Sequence, residues 1–454
     1  MTAKNYRAPS IRSRSSTRLL GVTGALALGA FALAAAPITP LVETASASQG
    51  AVVQRTPDTT SGVGVPMPVR PAGEPDYRFL SSPDFMNADV ANLKSYGRHR
   101  PGMPNSWNAS WAYTVSTIMD QFAAEKPADV LVAGDLVNGH WIEDERSTRV
   151  FGRYDQGVNN TRAALKRAAD FYYTQWRIRF ERRGLDVHAG IGDHELGDNP
   201  WRGSPRTDLR RSMGTTFKGR FAANLVARKH YPWAPPGPAH GTAFATMLDP
   251  EMLLVSIDPF LITRTDIEPR VDPQQLRWID KTLARAKARG VDWIVVQGHL
   301  PIATPVRKWG SSSLHYQGGV GSPLWKVMAR NDVDIYLNGE VHNITFTHQD
   351  GISQISHGGI VGSAPLSGQG GTNYVLGEIF GDQMFLRVNR FAAASVDRRR
   401  RLWQMTSQGA PPLFKRVAPN PPIKGQIVLT KDNQVLYRDQ AFLPWDGKGM
   451  GIID

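Results

Sequence analysis

The sequence predicts an α/β sandwich, its sheets flanked by helices, with a β-rich C-terminal extension. Three observations lead there. From Tyr77 onward, short apolar runs of strand length alternate with longer stretches of helical period. Beyond about Asn373 the helical stretches stop while strand-like runs continue. Apolar residues make up 41% of the 454-residue chain, which supplies a sizeable core and excludes disorder as the dominant state. The 43 glycines and 32 prolines place many turns between the elements. The chain has no cysteine, which removes disulfide scaffolds, thiol catalysis, iron–sulfur clusters and cysteine-ligated zinc together.

The first residues read as targeting rather than fold. Lys4, Arg7, Arg12, Arg14 and Arg18 form a basic head before the uncharged, Leu- and Ala-rich run Leu19–Ala36. Thr44-Ala45-Ser46-Ala47 then supplies a small-x-small cleavage site. Residues 1–47 are expected to be a cleaved signal peptide, delivering the protein to the cell envelope or the exterior. An uncleaved membrane anchor is the other reading of the same apolar run. Residues 48–75 are rich in Pro, Gly, Ser and Thr and read as a flexible linker.

A domain over residues 76–375 follows. Arg78–Leu80, Asp129–Ala133, Val187–Ile191, Met252–Ile257, Trp293–Gln297 and Asp334–Leu337 read as strands. Ser106–Ala124 places Trp111, Val115, Ile118 and Phe122 on one helical face, and Asn159–Arg183 does the same with Leu165, Ala169, Tyr172 and Phe180. Asp272-Pro273 opens a third helix with a capping residue and an N1 proline. Residues 376–454 are expected to form a β-rich extension packed on that domain, with strands at Met384–Val388, Gln426–Leu429 and Gln434–Tyr437. The last two would make a hairpin around Lys431-Asp432-Asn433.

Four strands end in a glycine followed by polar residues: Gly134-Asp135, Gly192-Asp193-His194-Glu195, Gly298-His299 and Gly339-Glu340-Val341-His342. Open α/β sheets keep their chemistry at such ends, and glycine permits a sharp turn and close backbone approach. A single Gly-Asp would mean nothing among so many glycines; four strand ends in consistent order do.

In that order the chain resembles the calcineurin-like metallophosphoesterase superfamily over roughly residues 77–360, which implies a metallophosphoesterase-like β-sandwich flanked by helices. Gly134-Asp135 and Gly298-His299 match the family blocks; Asp193 stands for an asparagine and Glu340 for a histidine. Asp84 aligns with the first family aspartate, leaving Met86 where a histidine is expected, with Asn87 or Asp89 as the alternative contributor in its place. The resemblance implies a metal-dependent phosphoric ester hydrolase, acting on mono- or diesters by hydroxide attack at two divalent ions. It implies that Asp135 bridges the ions, that Asp84 and His342 complete one, and that Asp193, His299 and Glu340 complete the other. His194 would be the catalytic acid at the leaving group. Four carboxylates neutralise two divalent ions and favour Mn²⁺, Mg²⁺ or Ca²⁺ over Zn²⁺. Asn138 stands where purple acid phosphatases carry tyrosine, which argues against an iron–tyrosinate centre.

Asn138, His140, His315 and His357 lie near these blocks or in the Gly/Ser-rich loop Gly310–Gly321 and are candidate substrate contacts. His99, His188, His230, His240 and His348 read as surface or core. The formal charge is +13. Trp201–His230 holds eight Lys/Arg against one acid, Asp208, and reads either as a cationic rim for phosphate substrates or as a solvated basic surface. Arg398–Arg401 reads as a solvated turn or a loose contact to anionic envelope polymers. Neither run has the aromatic interleaving that specific nucleic-acid binding needs. The expected partner is a small phosphate ester or an envelope polymer. The departures from the family blocks leave two alternatives, a catalytically degenerate envelope-binding protein and a structural metal-binding protein of the same fold.

Overall fold

The computed structural model describes residues 66–84, 89, 91–101, 103, 109–142, 149–152, 157–307, 313–358, 372–397, 414–439, 442 and 452–453. All belong to the unit Gln54–Asp454. The expected signal peptide, most of the linker, Met86, Asn87 and Arg398–Arg401 lie outside the described residues. No described helix is long and apolar enough to cross a membrane.

The first half of the chain supplies β1 (Tyr77–Ser81), α1 (Ala109–Ala124), β2 (Asp129–Val132), α2 (Val158–Glu181), β3 (Val187–Ala189), α3 (Pro205–Ser212) and α4 (Gly214–Asn224). Then follow β4 (Phe244–Asp249), β5 (Met252–Ser256), β6 (Leu261–Ile262), β7 (Ile267–Glu268), α5 (Pro273–Ala288), β8 (Trp293–Gln297), β9 (Val306–Arg307), α6 (Pro323–Arg330) and β10 (Ile335–Asn338). The remainder is β: β11 (Thr345–Gln349), β12 (Ile352–Ser356), β13 (Asn373–Phe380), β14 (Gln383–Arg390), β15 (Ala393–Asp397), β16 (Phe414–Val417), β17 (Ile423–Thr430), β18 (Val435–Arg438) and β19 (Ile452–Ile453).

Local chemistry sets the helix starts. Asp272 accepts from the Gln274 and Gln275 N–H groups while Pro273 occupies the first helical position, and α5 then buries Ile279 and Leu283. Ser204-Pro205 and Ser322-Pro323 open α3 and α6 by the same device. Along α2 the residues of the expected apolar face, Leu165, Ala169, Tyr172 and Phe180, are buried.

Two large sheets form the sandwich. The first has the order β18-β17-β14-β13-β1-β2-β3 and the second β11-β12-β10-β8-β5-β4. In the first, β1, β2 and β3 are parallel; in the second, β5, β8, β10 and β12 are. Both sheets feed one hydrophobic core that includes Phe79, Val132, Leu254 and Val295. Between them the buried Gln297 amide donates to the His188 carbonyl at 3.1 Å.

Two sequence expectations change here. The boundary at 375/376 falls inside β13, which pairs with the whole of β1 from Tyr77↔Ile379 to Ser81↔Val375. The tail therefore completes the first sheet rather than packing on a finished domain, although the β17–β18 hairpin forms where expected. The basic run 201–230 is a pair of helices whose cations mostly face acids. Arg202 pairs with Asp266, Arg211 with Asp208, Lys218 with Asp258, Arg220 with Asp170 and Lys229 with Asp186. Charge so balanced makes a weak rim for an anion.

Candidate metal centre

The parallel strands of both sheets deliver their polar residues to one place. Asp84 follows β1, Asp135 follows β2, Asp193 comes after β3, His299 follows β8, and Glu340 and His342 follow β10. The turns are tight: φ is +48° at Asp84, +59° at Asp135, +65° at Glu340 and +53° at His342. That left-handed region costs a non-glycine residue free energy and is held only where surrounding structure over-determines it. The preceding glycines leave room for side chains from other strands. A Cβ on Gly134 would lie 2.6 Å from His299 Nδ1, and one on Gly192 would collide with the Asp135 carboxylate.

His299 sits in the middle of the acids. Its Nε2 is 3.0 Å from Asp193 Oδ1, 3.2 Å from Glu340 Oε2, 3.3 Å from Asp135 Oδ2 and 4.0 Å from Asp84 Oδ1. Its Nδ1 donates to the Ala133 carbonyl at 2.9 Å, which fixes the ring with Nε2 toward the carboxylates. His342 Nε2 lies 3.4 Å from Asp84 Oδ1. All six residues are buried. Five of them form two groups whose potential ligand atoms lie within 4.8 Å of one another, Asp84, Asp135 and His342, and Asp135, Asp193 and His299; Glu340 joins neither group. Asp135 belongs to both.

The electrostatics of this set call for cations. Burial, then the neighbouring Asp193 charge, pushes the Asp135 carboxyl up to about 8. Burial and Asp193 likewise drive Glu340 well above the ordinary carboxylate range. Burial opposes charge on His299, yet Asp135 and then Asp193 and Glu340 hold its ring well above the usual imidazole value. Asp84 Oδ2 is buried without a hydrogen-bond partner. The crowded acids thus need positive charge beside them, and a donor set of carboxylates with two imidazoles fits divalent metal ions.

A model of the calcineurin-like phosphoesterase family matches residues 108–343, just over half of the chain. The chain belongs to that family. Solved structures similar to it include a dimetal phosphatase from Danio rerio, at 13% identity and a TM-score of 0.42, covering 76% of this chain and 99% of that one. PhoD is similar at 12% identity and a TM-score of 0.45, covering 84% and 74%. A purple acid phosphatase from yellow lupin is similar at 14% identity and 0.42, covering 82% and 57%. No curated protein sequence gives a significant match. Family membership together with the two His/Asp groups supports a metal-dependent phosphoester hydrolase.

In this calcineurin-like phosphoesterase the two central turns are locked by a residue that sequence reasoning left without a role. The fully buried Glu195 carboxylate accepts from the N–H groups of Gly192 at 2.7 Å, Asp135 at 2.8 Å, Leu136 at 3.0 Å and Val137 at 3.3 Å. The signal available was an acid three residues after a turn glycine, facing a second turn rich in unpaired donors. Glu195→Ala would strip four buried N–H groups of their acceptor. It is expected to destabilise the protein by about 3 kcal/mol or more, read as a lower denaturant midpoint at unchanged slope. An unchanged midpoint would show that the turns hold without it.

His194 adjoins the centre without entering either group. Its Nδ1 donates to the Asn138 carbonyl at 2.6 Å, and its Nε2 lies 3.9 Å from Asp135 Oδ2 and 3.8 Å from Asp198 Oδ1. Burial opposes its charge, but Asp135, Asp198 and Asp193 raise its pKa to about 10, so the ring holds its proton. His140 stacks on it at 5.3 Å and donates to Asp198 at 2.6 Å, forming a third His/Asp group. A fourth, Asp129, Asp186 and His188, lies at the opposite ends of β2 and β3.

The candidate substrate contacts separate. Asn138 is half-buried beside His194, and His315 is exposed next to Leu314, whose N–H donates to Glu340 at 2.9 Å. His140 is buried behind His194 and supports that ring rather than facing outward. His357 requires correction: it is fully enclosed, within 3.0 Å of Ser81 Oγ, with burial lowering its pKa to about 4. A ring with no exposed surface is part of the floor beside Asp84, not a substrate contact. Asp89, the alternative to the missing histidine, is buried but joins neither group.

Proposed function

We propose that this protein is an exported two-metal phosphoesterase that hydrolyses phosphate mono- or diesters. The observation that carries the reading is the pair of ligand groups sharing Asp135. In this reading Asp84 and His342 would hold one ion with Asp135, and Asp193 and His299 would hold the other with it, joined by Glu340, whose Oε2 lies 3.2 Å from His299 Nε2. Bound there, two divalent ions would supply Lewis acidity toward water and the phosphoryl group. The chain's own residues do the rest. The Ala133 carbonyl keeps His299 Nε2 directed inward, and Asn199, donating to Asp193 Oδ2 at 3.0 Å, aims that carboxylate. Glu195 holds the Asp135 turn. His194, anchored by the Asn138 carbonyl and with its Nε2 3.8 Å from Asp198 Oδ1, is the proton donor to the leaving oxygen. Four carboxylates favour Mn²⁺, Mg²⁺ or Ca²⁺ over Zn²⁺. Export rests on the pattern of residues 1–47.

The test strips purified protein with chelator and reloads it with Mn²⁺, Mg²⁺, Ca²⁺ or Zn²⁺ before assay on a mono- and a diester. Restored hydrolysis with Mn²⁺ or Mg²⁺ at two ions per chain is expected. Two bound ions without turnover on either ester would instead indicate a binding protein of this fold, and a single tight Ca²⁺ without turnover a structural site.

A further inference from the structure

We propose that Glu340 ties the loop 314–317 to the metal centre, and that this tie sets His315 at its mouth as a contact for the alcohol part of the ester; this rests on the phosphoesterase reading above. Both oxygens of the Glu340 carboxylate are engaged. Oε2 lies 3.2 Å from His299 Nε2, on the side of the metal groups, while Oε1 accepts from the Leu314 N–H at 2.9 Å. The Glu340 N–H donates to Asp84 Oδ1 at 3.2 Å. The residue is buried in a left-handed turn, which leaves its side chain little room to turn away.

A glutamate at this position is what makes the tie possible. A histidine, which the family blocks place there, would give one nitrogen to an ion and keep its proton on the other. That second nitrogen could only donate, so it could not take the Leu314 N–H. A carboxylate serves an ion through one oxygen and a backbone donor through the other. Its charge also makes the bond to the loop one of the stronger kind.

The far side of the loop is fastened independently of the metal groups. The Tyr316 N–H donates to the Pro301 carbonyl at 2.9 Å and the Gln317 N–H to the Pro269 carbonyl at 2.9 Å. The Tyr316 hydroxyl accepts from the Val271 N–H at 3.1 Å. Tyr316 is buried, Leu314 packs partly buried against the core, and His315 stands exposed between them. Untying Leu314 would therefore release only the side of His315 nearest the centre. An imidazole one residue from the Glu340 contact is within reach of the leaving alcohol, and it can donate to or accept from that group's polar atoms. Glu340 is in this sense a positioning residue as well as a ligand.

The experiment reads amide hydrogen exchange over residues 313–318, together with metal content, for the Mn²⁺-loaded wild type, Glu340→His and Leu314→Pro. Kinetics on glycerol phosphate and phenyl phosphate are added for the wild type and His315→Ala. Glu340→His should keep two ions while the Leu314 amide exchanges about 10-fold faster. Leu314→Pro removes the donor and leaves the ligand in place; it should keep two ions while the His315 amide exchanges faster. His315→Ala should raise KM about 3- to 10-fold on glycerol phosphate, whose alcohol carries hydroxyls, and less on phenyl phosphate. A Leu314 amide as slow as wild type in two-ion Glu340→His would overturn the tie. If Glu340→His loses an ion, the proline variant decides, and an unchanged His315 amide there would overturn it. Equal KM changes on the two esters, or none, would remove the role of His315. Because exchange and metal content are read without turnover, a loop that depends on Glu340 in a protein hydrolysing neither ester would sink only the proposed activity. A hydrolysing enzyme whose loop is indifferent to Glu340 would sink only this inference.

Discussion

Asp135→Asn is expected to abolish metal-dependent hydrolysis and to lower the bound metal below two ions per chain. Asp135 is the one residue common to both ligand groups. Its Oδ1 accepts from the His194 N–H at 3.1 Å, its Oδ2 lies 3.3 Å from His299 Nε2, and its own N–H is held by Glu195. The amide keeps the side chain's shape, and asparagine tolerates the left-handed backbone at this position. Folding should therefore survive. What disappears is the negative charge that lets one side chain serve two cations. The rate on either ester should fall by at least about 10³-fold, more than the loss of a single electrostatic donor usually costs. Elemental analysis beside the assay decides the matter: two ions at a near-normal rate would refute the sharing.

The second large effect separates chemistry from binding. His194→Ala should leave metal content and unfolding close to wild type, because the ring belongs to neither of the two groups that share Asp135. On alkyl phosphates the rate should fall about 10²- to 10⁴-fold, the usual size of a general-acid contribution. On a nitrophenyl ester the loss should be much smaller, since that leaving group needs little protonation. Equal losses on both esters would count against proton donation. A missing ion would make His194 a ligand, and the nearby His140–Asp198 group would then need reassessment.

Much of this site could be read from strand ends. Asp84, Asp135, Asp193, His299, Glu340 and His342 each follow an apolar run, and parallel strands can only bring such ends together. The residues that escaped notice act through geometry that no local pattern carries. Glu195 matters because two turns distant in sequence aim their N–H groups at it. Arg307, on a two-residue strand, is buried with its Nη1 3.3 Å from His342 Nδ1. His357 stands near a motif block in sequence, yet it is fully enclosed. Helix α3 offers no apolar period to read, its one buried side chain being Arg210, although Ser204-Pro205 carried the same start signal as Asp272-Pro273. The division at 375 failed because composition changed there while sheet pairing did not.

That pairing bears on the order in which the protein can become whole. β1, which delivers Asp84, is flanked on one side by β13, and nearly three hundred residues separate the partners. During synthesis the strand bearing Asp84 must wait, one edge open, until β13 has emerged. The stretch recognisable as the family, 108–343, contains neither strand. A ribosome stalled before residue 373 would thus carry most of the recognisable enzyme with a bare sheet edge beside Asp84, the sort of edge that invites pairing with another chain.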